Sequence, residues 1–296
     1  MHRVLNIAAG LVVASAELQA QRPPSTDIFL APLSMQDGRP VIGTPTNVTN
    51  RPGYDNQPSF TPDGHAFLFT STHDDGQSDI YRYDLETKEV TRITTTPESE
   101  YSATVMPGGK RFSVVRVESD STQRLWSFAL DGSDPELLLE TVKPVGYYAW
   151  IDANNLALFV LGKPNALVHA DIRTGRADTL SRDIGRSLQP LPSGGGFSFV
   201  AHVDSVSSVR VVQWPANSRR AEVALPRGGE DFAWVTRDVI LASSGSKLLY
   251  WHRGDLAMAN AADFSESGIG NITRLAVSPD KKWLAFVAVP KSEQKP

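Results

Sequence analysis

A short turn signal returns along this chain at intervals of about 44 residues, the period of one four-stranded unit in a ring of such units. Its clearest form is Ser59-Phe60-Thr61-Pro62-Asp63-Gly64, followed by the apolar run Ala66-Phe67-Leu68-Phe69-Thr70. A polar loop (His73-Asp74-Asp75-Gly76-Gln77) leads to Asp79-Ile80-Tyr81-Arg82-Tyr83-Asp84-Leu85 and then to Glu89-Val90-Thr91-Arg92-Ile93-Thr94. Pro-Asp-Gly sets a tight turn, and apolar and polar residues alternate around it with period two. The segment therefore reads as four antiparallel strands. The mark recurs at Pro107-Gly108-Gly109, Asp152-Ala153-Asn154, Pro192-Ser193-Gly194, Thr236-Arg237-Asp238 and Pro279-Asp280-Lys281. Each precedes a β-prone run, such as Phe112-Ser113-Val114-Val115 or Trp283-Leu284-Ala285-Phe286. No long window sustains a 3.6-residue period, so helix is expected to be almost absent.

Six marks, each opening four strands, predict an all-β, six-bladed β-propeller with four antiparallel strands per blade. The sixth unit is short at the C-terminus, because only seven residues follow Val289. Its missing pair is found at the other end. Asp27-Ile28-Phe29-Leu30-Ala31-Pro32-Leu33 copies Asp79-Ile80-Tyr81-Arg82-Tyr83-Asp84-Leu85, and residues from Val41 to Val48 supply an outermost strand. The N-terminal strands are thus expected to complete the last blade and leave no open edge between blades.

Composition narrows the function classes. With 41% hydrophobic and 21% charged residues in 296, the chain can bury a core. A net charge of −4 gives no basic face for nucleic acid. The absence of cysteine excludes disulfides, thiolate metal sites and a cysteine nucleophile. His2 and Arg3, an apolar run from Ile7 to Ala16 and the end Leu18-Gln19-Ala20 have the layout of a secretory signal. Residues 1–20 are expected to be that signal and 21–296 a single propeller domain, periplasmic or secreted. The apolar run is too short to span a bilayer, which needs about 20 residues, and no membrane span is expected.

The stretch from Arg51 to Gly64 (Arg51-Pro52-Gly53-Tyr54-Asp55-Asn56-Gln57-Pro58, then the first turn mark) resembles the repeat of the TolB-type, or WD-like, propeller family. Asp79-Ile80-Tyr81 and Val277-Ser278-Pro279-Asp280 match the same repeat, which is strongest in blades one and six. The resemblance implies a six-bladed propeller exported to the periplasm. It does not imply one function, since the repeat serves translocation-complex proteins, peptidase accessory domains and polysaccharide-degrading enzymes.

Motifs for chemistry are sparse. There is no G-x-S-x-G elbow and no H-E-x-x-H, and Ser193-Gly194-Gly195-Gly196 lacks the Lys of a phosphate loop and reads as a turn. His73-Asp74-Asp75 is the best acid–imidazole cluster, and a solvated loop explains it equally well. No catalytic residue, metal ligand or cofactor is assigned. In a propeller the innermost strands start at one rim of the central channel, so equivalent positions of the blades are expected to converge there. Counting back from each mark gives Asp55, Asn56 and Gln57; Glu100, Tyr101 and Ser102; Gly146 and Tyr147; Arg186 and Ser187; Glu230 and Asp231; and Thr273 and Arg274. The candidate ligand-binding set is Asp55, Asn56, Gln57, Glu100, Tyr101, Tyr147, Arg186, Glu230, Asp231 and Arg274. The expected function is non-catalytic binding of a cell-envelope protein or small ligand at this rim. The alternative is a polysaccharide lyase or hydrolase with paired carboxylates such as Glu100 and Glu230.

Overall fold

The computed structural model describes residues 25–72 and 76–289, so the expected export signal and the His73-Asp74-Asp75 cluster lie outside the described residues. The described residues form strands and turns with no helix, in six antiparallel sheets. Blade one shows the common plan: Asp55–Phe60, Ala66–Thr72, Ser78–Asp84 and Val90–Arg92, from the axis outward. The inner strands of the others are Ser99–Val105, Val145–Trp150, Ile184–Pro190, Phe232–Thr236 and Gly270–Val277.

Each blade turns on its mark for a local reason. Asp63 Oδ1 accepts from the Thr61 hydroxyl at 2.5 Å and from His65 N at 3.0 Å, while Gly64 takes a φ of +73°. These hydrogen bonds hold the Asp63 carboxyl below its ordinary range. Asp280 repeats the device in blade six, accepting from Ser278 Oγ at 2.6 Å.

The second strands are rich in apolar residues and largely buried because both of their faces are covered. Ala66–Thr72 is buried at every position. Apolar residues gather in six clusters, one at each blade interface, and aromatic rings stack within them. Trp150 donates to Ser113 Oγ of the preceding blade at 2.9 Å, and Trp234 does the same to Ser198 Oγ at 2.8 Å. A buried indole N–H thereby finds an acceptor without opening the interface.

Blade six closes as expected from the sequence. Asp27–Gln36 runs antiparallel to Trp283–Val289, in register from Asp27 opposite Ala288 to Pro32 opposite Trp283. The outermost strand is broken into Arg39–Ile42 and Thr46–Asn47, both paired to Asp27–Gln36. The interruption at Gly43-Thr44-Pro45 has a simple cause, since Pro45 has no N–H for a ladder. Among the described residues no helix is long and apolar enough to cross a membrane.

The seam is stitched to blade one as well. Thr26 N donates to Gly53 O at 2.9 Å, Asp55 N donates to Thr26 O at 3.0 Å, and Thr26 Oγ1 donates to Asp55 O at 3.0 Å. Deleting residues 26–48 removes these bonds together with the buried Ile28, Phe29, Leu30 and Leu33, and uncovers Phe67, Leu284, Phe286 and Val287, which they cover. Each is worth roughly 1.5–3 kcal/mol on burial, so the truncated chain is expected to aggregate or to lose most of its thermal stability. The milder Phe29→Ala, which breaks the stack on Phe286 (centroids 5.6 Å apart), is expected to cost about 3–5 kcal/mol in urea denaturation. An unchanged midpoint in both variants would place the ring closure elsewhere.

Candidate binding site in the central channel

The six inner strands surround a cavity of about 810 Å³ on the axis. One position in each blade, five residues before its turn mark, lines it: Gln57, Ser102, Tyr147, Ser187, Asp231 and Arg274. Arg186 joins this layer from blade four. The layer coincides with irregular strand pairing. Register shifts fall between Asn56 and Ser59, Tyr101 and Thr104, Val145 and Tyr147, Ile184 and Leu188, and Thr273 and Ala276. Bulges re-aim side chains, and in five of the six blades one lies where a polar residue turns toward the axis. Three of them, Gln57, Ser102 and Arg274, hold left-handed backbone at φ of 59°, 56° and 54°. Such non-glycine conformations cost on the order of 1–3 kcal/mol each and persist only where neighbours enforce them.

Those neighbours are visible. Gln57 Oε1 accepts from Thr70 Oγ1 and from Ser102 N, both at 2.9 Å, and so ties two strained positions together. Arg274 crosses the channel: its Nη2 donates to the Tyr147 hydroxyl at 2.7 Å, and its guanidinium lies 4.5 Å from the Tyr147 ring centroid. Arg186 Nη2 donates to Asp231 Oδ2 at 2.6 Å, and Arg274 Nη1 lies 3.8 Å from Asp231 Oδ1. Tyr54 sits within the field of Arg274, Tyr147, Tyr101 and Arg186, and burial raises its phenol well above the ordinary range.

Of the ten sequence-predicted residues, Gln57, Tyr147, Arg186, Asp231 and Arg274 line the channel. The other five have partners elsewhere. Asp55 is fully buried and pairs with Arg51 at 2.6 Å, while Asn56 Nδ2 donates to Thr26 Oγ1 at 3.2 Å, so both belong to the ring seam. Tyr101 OH accepts from Ser78 Oγ at 3.0 Å. Glu230 Oε1 lies 3.2 Å from His202 Nε2, and its other oxygen accepts from Arg186 N at 3.3 Å. Glu100 is sealed between blades one and two with Thr96 and with Arg116, whose Nε is 3.5 Å away. Ser102 and Ser187 complete the channel layer although they stood outside the ten. A fixed count of five residues back from each mark finds them. Among the described residues no three His, Cys, Asp or Glu side chains converge as a metal site.

No protein-family model matches the chain. Among solved structures, the putative TolB from Agrobacterium tumefaciens is similar over 90% of this chain and 99% of its own, with a TM-score of 0.72 and 14% identity. TolB from Acinetobacter baumannii is 22% identical with a TM-score of 0.52, over 64% of this chain. The chain spans 50% of the length of that relative. An oligogalacturonate lyase from Vibrio parahaemolyticus matches 92% of this chain and all of its own, at 11% identity and a TM-score of 0.52. The likeness is one of fold, shared with TolB-like propellers.

Burial of Glu100 has a consequence in solution. Desolvation raises its carboxyl from 4.5 to about 7, against the pull of Thr96, Thr94 and Arg116 and with help from Asp79. The folded state therefore holds a proton that the unfolded chain releases near its ordinary value. The resulting stability is full below that value and is lost as pH rises toward 7. Between pH 5 and 8 the wild type is expected to lose roughly 2–3 kcal/mol relative to Glu100→Gln. Parallel stability–pH curves in urea denaturation would refute a protonated Glu100.

Proposed function

We propose that the protein is an exported, non-catalytic binding propeller that holds a cell-envelope protein or a small ligand in its central channel. The observation that carries this reading is the layer of polar side chains contributed by all six blades. Gln57, Ser102, Tyr147, Ser187, Asp231 and Arg274, with Arg186, face one cavity of ≈ 810 Å³. Structure without binding needs no such layer on strained backbone, whereas a recognition site gains from pre-set aromatic, guanidinium and carboxylate groups. The TolB-like fold and the family resemblance of the repeat support a role in the cell envelope, and the signal-like N-terminus supports export.

The polysaccharide-cleaving alternative draws on a fold likeness alone. Its carboxylate pair is not set for it: Glu100 is sealed between blades and Glu230 is engaged by His202 and the Arg186 amide. The test is affinity for a partner that co-purifies with the wild type. Arg274→Ala and Tyr147→Ala are expected to weaken it at least tenfold, while Arg176→Ala on the exposed outer strand of blade three leaves it unchanged. Full affinity in both channel variants would move the partner surface off the axis. Cleavage of a polysaccharide that Glu230→Gln abolishes would make the protein an enzyme.

A further inference from the structure

The two mouths of the channel are unequal. Arg274 starts in blade six and ends on Tyr147 of blade three, the blade directly across the ring. This bar lies near the rim where the inner strands begin, with the half-buried Tyr54 in its field. Away from it the cavity runs to the turn marks at Pro62, Pro107 and Pro279. Among the described residues, the charged ones lining it are Arg186, Asp231 and Arg274, all at the barred end. From there to the turn marks the wall is neutral, with Phe60, Met106, Trp150 and Phe232 among its residues.

The barred end is short of acceptors. Two guanidiniums, Arg186 and Arg274, share one carboxylate there, and their side chains keep 34% and 16% of their surface exposed. Arg274 Nη1, at 3.8 Å from Asp231, is beyond hydrogen-bond distance. Asp231 is the layer's one carboxylate, and its Oδ2 is already taken by Arg186. A ligand seated here must therefore bring acceptor oxygens, and an anionic one gains most from two guanidiniums. Asp231, and Glu230 outside the channel, oppose its charge, so donor geometry has to contribute as much as net charge. The neutral wall asks for an uncharged body behind that head. Its backbone asks for more: every inner strand is the last of its sheet, so the edge facing the axis is left out of the strand ladders. An extended chain can hydrogen-bond to such an edge.

The geometry points to the C-terminus of a peptide as the occupant. Resting on the channel reading above, this inference adds a direction and a chemistry. An extended, uncharged tail enters from the turn-mark face and sets its α-carboxylate against Arg186 and Arg274.

The chain has no cysteine, which permits a test that separates blockage from misfolding. The probe is a library of N-acetylated hexapeptides drawn from uncharged residues, prepared once with free carboxylates and once as C-terminal amides. The free-acid pool is expected to be retained by the wild type at least tenfold over the amide pool, and Arg186→Gln to remove that difference. Ser59→Cys places a single thiol on the channel wall, and its melting temperature is checked before a bulky maleimide is attached. Attachment is expected to abolish retention, whereas the same label on Arg227→Cys, an exposed position on the opposite face, leaves it intact. Equal retention of the two pools, no retention of either, or retention that survives the Ser59→Cys label overturns the inference. The channel reading itself is judged apart, by whether Arg274→Ala still weakens the co-purifying partner.

Discussion

The pairing of Asp27–Gln36 with Trp283–Val289 is the contact on which the rest of the molecule depends. A propeller blade has two apolar faces, and each is covered only by the blade beside it. The six interface clusters therefore support one another around a closed circle. If the circle opens at one seam, two faces meet water and every other interface loses its rigid backing. Closing the last blade with strands from both ends of the chain makes the final interface part of a hydrogen-bonded sheet. Thr26 then ties that sheet to the backbone of blade one.

Closure also explains why a site can exist on the axis. Six inner strands packed in a ring cannot pair with one another there, so their inner edges surround a channel instead. A bulge near the start of five of the six strands rotates one side chain toward that channel. The left-handed backbone at Gln57, Ser102 and Arg274 would relax if the strands could slide. The packed second strands behind them prevent it, and Gln57 locks two of the three through Ser102 N and Thr70. Stability stored in the blade interfaces thus holds the strained layer in place.

The architecture was legible because its signals are local and repeated. Pro-Asp-Gly at residues 62–64 names its own turn, and the copy of the Asp79–Leu85 pattern at Asp27–Leu33 identifies the missing strand. The break in the outermost strand was less visible, since residues 41–48 carry strand-forming residues on both sides of Pro45. The site was half legible. Period-two counting places side chains correctly only while the strand is regular, and the bulges sit at the positions in question. Asp55 and Glu100 thus face the blade interfaces although Gln57 and Ser102, two residues on, face the axis. The Arg274–Tyr147 bridge has no local signal at all, as the partners lie 127 residues apart.

Acids and arginines consequently do two different jobs a few ångströms apart. Between blades, buried carboxylates are matched by guanidiniums close by: Asp55 with Arg51, Asp79 with Arg92, and Glu100 with Arg116. Removing the base of such a pair leaves a buried acid without its counter-charge, so these pairs maintain the ring. On the axis the match is uneven, with two arginines to one aspartate. Residue type alone could not separate the two groups, because both are polar positions near the start of inner strands. The side of the strand on which each side chain emerges separates them. Between blades one acid meets a base close by, whereas on the axis two guanidiniums share a single carboxylate.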